Sequence, residues 1–227
     1  MLVVDRTRHF LIRHRKQFSW SLSLAGGSGL LAMAFFYYSA QQEEQSKDEL
    51  ATALTTYHAP ISQAAKSKTP GADVRVAFAT SARKYEQALV ELRGVITRHG
   101  TRSAGKIATY FAGLCLHELD RNPEAIKQLK PLSREASDLG ALALAALARI
   151  YEDSLELAKA TDAYEQLVDR DALTTPGETT AMHLALLYER QDKNKEAVEI
   201  YEKVIKNFPD SRFSSQAEQR LKKIAPY

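Results

Sequence analysis

Of the 227 residues only Cys115 is a cysteine, so no intramolecular disulfide can form and no thiol pair exists to hold zinc. Cys115 lies in the apolar run GLCL, where it reads as a small buried hydrophobe and not as a reactive thiol. The six histidines offer no metal site either. His9 and His14 sit in a basic stretch, His58, His99, His117 and His183 are scattered, and no pair has i, i+4 spacing. Glycine is sparse, and its one cluster, AGGSG, falls inside an apolar run instead of between a strand and a helix, which excludes a phosphate loop. No local signature of a Ser-His-Asp or Cys-His arrangement is present. An excess of one charge is missing too. Residues 1–17 hold five of the 31 basic residues against one of the 28 acidic ones, leaving 26 against 27 in the remainder. A near-neutral domain carries no electrostatic footprint for nucleic acid. The expectation is a non-enzymatic protein with no catalytic residues, metal, cofactor or small-molecule substrate.

What is present begins with FSWSLSLAGGSGLLAMAFFYY, Phe18 to Tyr38, which is 21 residues without a charge. As a helix it would extend about 32 Å, close to the roughly 30 Å of a bilayer's hydrocarbon. Trp20 stands near one end and Tyr37 and Tyr38 at the other, where amphipathic rings favour the membrane interfaces. Ala32-Met33-Ala34 has the small-x-small form of a cleavage site, but apolar residues continue beyond it. The run therefore reads as an uncleaved anchor over residues 18–40, following a basic cytoplasmic tail, 1–17. Five Lys or Arg precede it and QQEEQSKDE follows it, so the positive-inside rule places residues 41–227 across the membrane, which in a bacterium is the periplasm. Ser21, Ala25 and Gly29 recur every four residues and form a candidate row for packing against another membrane helix.

Beyond residue 100 three stretches align: GLCLHELDRNPEAIKQLKPL, ALARIYEDSLELAKATDAYEQL and LALLYERQDKNKEAVEIYEKV. Gly113, Ala148 and Ala185 correspond. Three residues later stand Leu116, Tyr151 and Tyr188; twelve later, Ala125, Ala160 and Ala197; sixteen later, Leu129, Tyr164 and Tyr201; nineteen later, Leu132, Leu167 and Val204. The copies begin 35 and 37 residues apart, a spacing expected of helix hairpins stacked in an array. Small residues mark the point where the two helices of a hairpin cross. Asn122 before Pro123, and Asn194, are expected to cap second helices, Thr175-Pro176-Gly177-Glu178 has the form of a capping box, and Pro131 should end its helix early. KYEQALVELRGVITRHG repeats the second-helix pattern through Ala88, Leu92 and Val95, with its partner expected from Glu44 to Lys66. FPDSRFSSQAEQRLKKI reads as a closing cap helix started by Asp210 or Ser211.

These residues resemble tetratricopeptide repeats, most strongly over residues 103–210. The resemblance implies an all-α fold in which a transmembrane helix precedes antiparallel hairpins and a C-terminal capping helix, with residues 41–227 as the repeat domain. The order of basic tail, single anchor and periplasmic repeats resembles the YfgM-like ancillary subunits of the bacterial Sec translocon. That likeness implies an inner-membrane scaffold whose partners are translocon subunits, periplasmic chaperones or emerging chains. Envelope-assembly or cell-division coordinators share the closing repeat, though a lipobox cysteine is missing here; an organelle-membrane receptor with cytosolic repeats is a third class.

In this repeat family the first helix of each hairpin lines the binding face. The candidate contacts are Tyr110, Leu114, His117 and Glu118, then Arg149, Glu152 and Asp153, then Met182, Leu186, Glu189 and Arg190. The Lys/Asn/Arg set by which some relatives clamp a C-terminal carboxylate is absent.

Overall fold

Nine helices and no strand build the described part of the chain, which in the computed structural model is residues 41–61, 77–170 and 177–224. They are α1 (residues 41–57), α2 (Ser81–His99), α3 (Ser103–Glu118), α4 (Asn122–Leu132), α5 (Asp138–Asp153), α6 (Leu157–Asp169), α7 (Gly177–Arg190), α8 (Asn194–Asn207) and α9 (Arg212–Ile224). The chain divides into two units, Met1–Asp48 and Glu49–Tyr227. Of the first, residues 41–48 are described and helical. In the second, α3/α4, α5/α6 and α7/α8 are the three expected hairpins, each helix packed on its neighbour in sequence, and α9 closes the stack against α8 and α7. Among the described residues no helix is long and apolar enough to cross a membrane. The expected span at 18–40, with its Ser21, Ala25 and Gly29 row, lies outside them, as does the capping box at Thr175.

The five repeating offsets are the core. Of their fifteen residues all are buried except Tyr151 and Tyr188, which are half-buried. Ala125, Ala160 and Ala197 are wholly shielded from solvent, as are Ala148 and Ala185 at the crossings. Gly113 answers a specific neighbour: a Cβ there would fall 2.5 Å from Leu129 Cγ. Leu129 branches where the other two copies carry the flat rings of Tyr164 and Tyr201, so this copy needs glycine where they tolerate alanine. Helix α5 explains its own sequence, DLGALALAALARIYED. It gives Ala143, Ala146, Leu147 and Ile150 to the core shared with α2–α4, and Ala141, Leu144 and Ala148 to the core shared with α6–α9. A helix buried on two sides has little room for large side chains, and alanine lets both neighbours approach. Cys115 is fully buried, and burial pushes its thiol up to about 12, which disfavours the thiolate.

Two expectations about helix ends need correction. Neither Asn122 nor Asn194 is a cap; both are already helical, and the residues ahead of them, Arg121 and Lys193, make no side-chain cap bond. The reason is the turn between the helices of each hairpin. Asp120, Leu155 and Asp192, seven residues after each crossing residue, all take left-handed backbone with φ of 57, 59 and 58°. The next amide then reaches back to the first helix: Arg121 N donates to Leu116 O at 2.8 Å, Glu156 N to Tyr151 O at 2.8 Å and Lys193 N to Tyr188 O at 2.9 Å. This is the Schellman closure of a helix C-terminus. It leaves Arg121, Glu156 and Lys193 at the cap positions of the next helices, and none of them makes a side-chain cap bond. Helix α1 also ends at residue 57, well before Lys66; Pro60 follows, and Ile61 makes an isolated parallel bridge with Phe78. The cap helix does start as expected, with Ser211 Oγ accepting from Phe213 N at 3.2 Å.

One stability prediction arises here. Asp tolerates left-handed backbone, whereas Leu155 has no local polar group to offset it and is 73% exposed, so little packing is at stake. Leu155→Gly is expected to stabilise the protein by about 0.5–1 kcal/mol, the left-handed penalty of about 1–2 kcal/mol less glycine's unfolded-state entropy. A raised thermal midpoint checks it, and a lowered one would show that Leu155 makes a contact worth more than the strain.

Candidate functional site

The face made by the first helices of the hairpins, α3, α5 and α7, carries the residues expected to meet a partner. Counted from the crossing residue, His117, Glu152 and Glu189 occupy the fourth position onward, and Glu118, Asp153 and Arg190 the fifth. The structure couples these two positions between copies. His117 Nε2 lies 3.1 Å from Asp153 Oδ2. Arg190 Nη1 lies 3.2 Å from Glu152 Oε1, and Arg220 Nη1 of the cap helix 3.1 Å from Glu189 Oε2. Each fourth-position side chain thus meets a group from the next repeat, or from the cap where the repeats end.

The same positions are tied within each repeat. Tyr164 OH donates to Glu152 Oε2 at 3.4 Å and Tyr201 OH to Glu189 Oε1 at 2.5 Å. In the first copy Leu129 replaces the tyrosine and His117 replaces the glutamate; the histidine's Nδ1 instead faces Asn122 Oδ1 at 2.8 Å, and Asn122 Nδ2 donates to Ser154 Oγ at 3.1 Å. Burial raises the phenols of Tyr164 and Tyr201 first, and the carboxylates of Glu152 and Glu189 raise them further. His183 stacks on Tyr164 with ring centroids 5.5 Å apart and places Nδ1 3.5 Å from Glu152 Oε2. Exposed ion pairs of this kind contribute about 0–1 kcal/mol each.

The eleven expected contact residues therefore separate. His117, Glu152, Asp153, Glu189 and Arg190 are engaged inside the molecule. Met182 is a correction: at 5% exposure it belongs to the second core and offers almost no contact surface. Tyr110, Leu114 and Leu186 stay half-buried at the edges of the two cores, and Glu118 and Arg149 are exposed. Arg149 Nε approaches Asp153 at 3.9 Å.

Reading the repeats alone missed an aromatic group beside Tyr110. Phe111 packs edge-on to Tyr110 at 5.2 Å and to Tyr57 at 5.0 Å, and Tyr57 also meets Tyr85 at 5.7 Å. Burial, with Tyr85 adding to it, raises the phenol of Tyr57, and burial raises that of Tyr110. The missed signal was the pairing of aromatics at the end of α1 with those in α3, which becomes visible only when the α1/α2 pair is read as part of the array. Among the described residues no group of three or more His, Cys, Asp or Glu could hold a metal ion.

Comparison with known proteins agrees with this architecture. A tetratricopeptide repeat model matches residues 180–211, which is α7 and α8 with their exit turn. Among solved structures, the chain resembles the nearly identical TPR-like repeats of a candidate kinesin light chain from Podosopora anserina, at 17% identity and a TM-score of 0.53, covering 63% of this chain and 78% of that one. The Q17M form of the same protein matches at 16% identity and a TM-score of 0.50, covering 63% and 85%. No curated protein matches the chain. The fold is that of a tetratricopeptide-type helical repeat protein.

Proposed function

We propose that this chain is a non-enzymatic, membrane-anchored scaffold that binds other proteins across the face of α3, α5 and α7. The observation that carries this reading is the half-buried apolar set Tyr110, Leu114 and Leu186 on a face where the charged groups of His117, Glu152, Asp153, Glu189 and Arg190 are already engaged within the molecule and Glu118 is left exposed. A partner that leaves Glu118 in water can cover such a surface without stranding a charge, the arrangement that makes buried contacts favourable. Stacked helical repeats present extended surfaces of this kind. The uncharged run at 18–38 with its basic leading flank supports an inner-membrane anchor and a periplasmic repeat domain. Within that frame the best-fitting role is an ancillary factor of the Sec translocon that brings periplasmic chaperones or emerging chains to it. Anchoring raises effective concentration, so modest intrinsic affinity suffices.

The test combines Tyr110→Ala with Leu186→Ser in the full chain, at normal membrane level and with an unchanged melting curve. Crosslinks to translocon subunits and chaperones in native membranes are expected to fall at least tenfold, about 1.4 kcal/mol. Undiminished crosslinks to every partner would remove this face as the site, and recovery of division or outer-membrane machinery with no translocon subunit would move the protein to another assembly. A reporter fused after Tyr227 should be active only in the periplasm.

A further inference from the structure

We propose a second docking site, separate from the first-helix face, in a groove between α4 and α6 that takes an acidic peptide segment of a partner protein. The groove encloses about 450 Å³, within the range of sites that hold several side chains. Its floor is apolar: Leu144, Leu147 and Tyr151 of α5, flanked by Ile126 of α4 and Ala163 of α6. Four cations stand around it, Lys130 and Arg134 from the end of α4 and its following turn, Lys159 from α6 and Arg170 just beyond α6, against the single carboxylate of Asp162.

The charge is local to this groove, since the chain beyond residue 17 is balanced to within one charge. Its cations also differ in what they already do. Arg170 Nη1 donates to Ser133 O at 2.9 Å, joining the far ends of α4 and α6, and Lys159 pairs with Glu156. Asp162 accepts from Gln166. Lys130 and Arg134 are exposed and have no ion-pair partner among the described residues. Two free cations beside a greasy floor favour a ligand that carries carboxylates and an apolar side chain together. Bare phosphate would leave the floor of Leu144, Leu147 and Tyr151 unused, and four cations in one groove are too few to track a nucleic-acid backbone. An acidic segment with an aliphatic or aromatic residue satisfies both halves of the site, and complementary charge sets its orientation.

The test uses the full chain in neutral detergent and fluorescence anisotropy with a pool of labelled peptides, each with Asp and Glu around a varied apolar pair. Wild type is expected to bind the pool saturably and more weakly as salt is raised. Lys130→Glu with Arg134→Glu should weaken binding about tenfold, while the Tyr110→Ala, Leu186→Ser variant binds as wild type does, which separates this site from the first-helix face. Both changed residues are exposed, and Lys130→Gln with Arg134→Gln, intermediate in effect, guards against a folding artefact. Equal binding by the reversed variant, equal binding of a pool with Lys in place of the acids, or no saturable binding by wild type would overturn the proposal. So would phosphatidylserine mixed micelles that bind in place of the peptides and lose that binding on reversal, since the groove would then face lipid.

Discussion

Gly105→Ala is expected to cost more than about 3 kcal/mol, at the top of the range for overpacking, and to lower the thermal midpoint by roughly 6–12 °C or more. A Cβ on Gly105 would stand 2.0 Å from His99 O, 2.5 Å from His99 C and 2.6 Å from Gly100 Cα. All three are backbone atoms of the turn between α2 and α3, so no rotamer change can relieve the collision. The first turn of α3 would have to move away from α2, pulling Ala104 and Ala108 from the core they share with Leu92 and Val95. The Arg102 N to His99 O bond, 2.9 Å, that sets the turn would break with it. Gly94→Ala is the matched control. Its Cβ would meet only the Arg98 guanidinium, at 3.2 Å, a side-chain end that can shift by a few tenths of an ångström while keeping its pair with Glu49, and alanine in mid-helix should be neutral or stabilising by up to about 1 kcal/mol. Melting curves followed by circular dichroism decide it; equal midpoints for the two variants would mean that α2 and α3 do not meet as described.

Tyr201→Ala should remove about 3–5 kcal/mol, the usual loss for a buried aromatic ring. Tyr201 is 0% exposed and the largest of the fully buried side chains, standing in the core that α8 shares with α7 and α9. Tyr201→Phe keeps the ring and isolates the hydroxyl's bond to Glu189. It should cost about 1.5 kcal/mol, the low end for a bond to a charged group, because Arg220 still holds the other carboxylate oxygen. Burial, then the bond to Glu189, lift this phenol above its ordinary 10.0. Below pH 10 folded and unfolded chains both keep the proton and stability is whole. As pH rises past 10 only the unfolded chain ionises, and stability falls by up to about 1.4 kcal/mol per pH unit. Denaturant titrations at rising pH should show a shallower decline for Tyr201→Phe than for wild type. Identical alkaline slopes would indicate that Tyr201 ionises as readily in the fold as outside it.

The array was legible because a helical repeat contacts little beyond its neighbours, so one local pattern repeated three times specifies the whole stack. The crossing residues Gly113, Ala148 and Ala185, the alanines twelve residues on, and the cap helix begun at Ser211 were all readable as spacing and residue size. What spacing alone could not supply was anything that depends on distance between repeats or on backbone handedness. The left-handed turns at Asp120, Leu155 and Asp192 were hidden because leucine gives no hint of positive φ, and they displaced the caps expected at Asn122 and Asn194. Met182 looked like a surface residue by its offset, yet it is buried in the second core. Glu152 and Glu189 looked like recognition residues because an exposed acid and an acid paired to the next repeat have the same local sequence. Sequence by itself thus determined the helices, their order and their crossings, since these follow from short-range periodicity and side-chain volume. Tertiary structure alone decided which charges are spent between repeats and which, such as Lys130 and Arg134, have no ion-pair partner among the described residues, because pairing is set by the few ångströms separating helices that lie tens of residues apart in the chain.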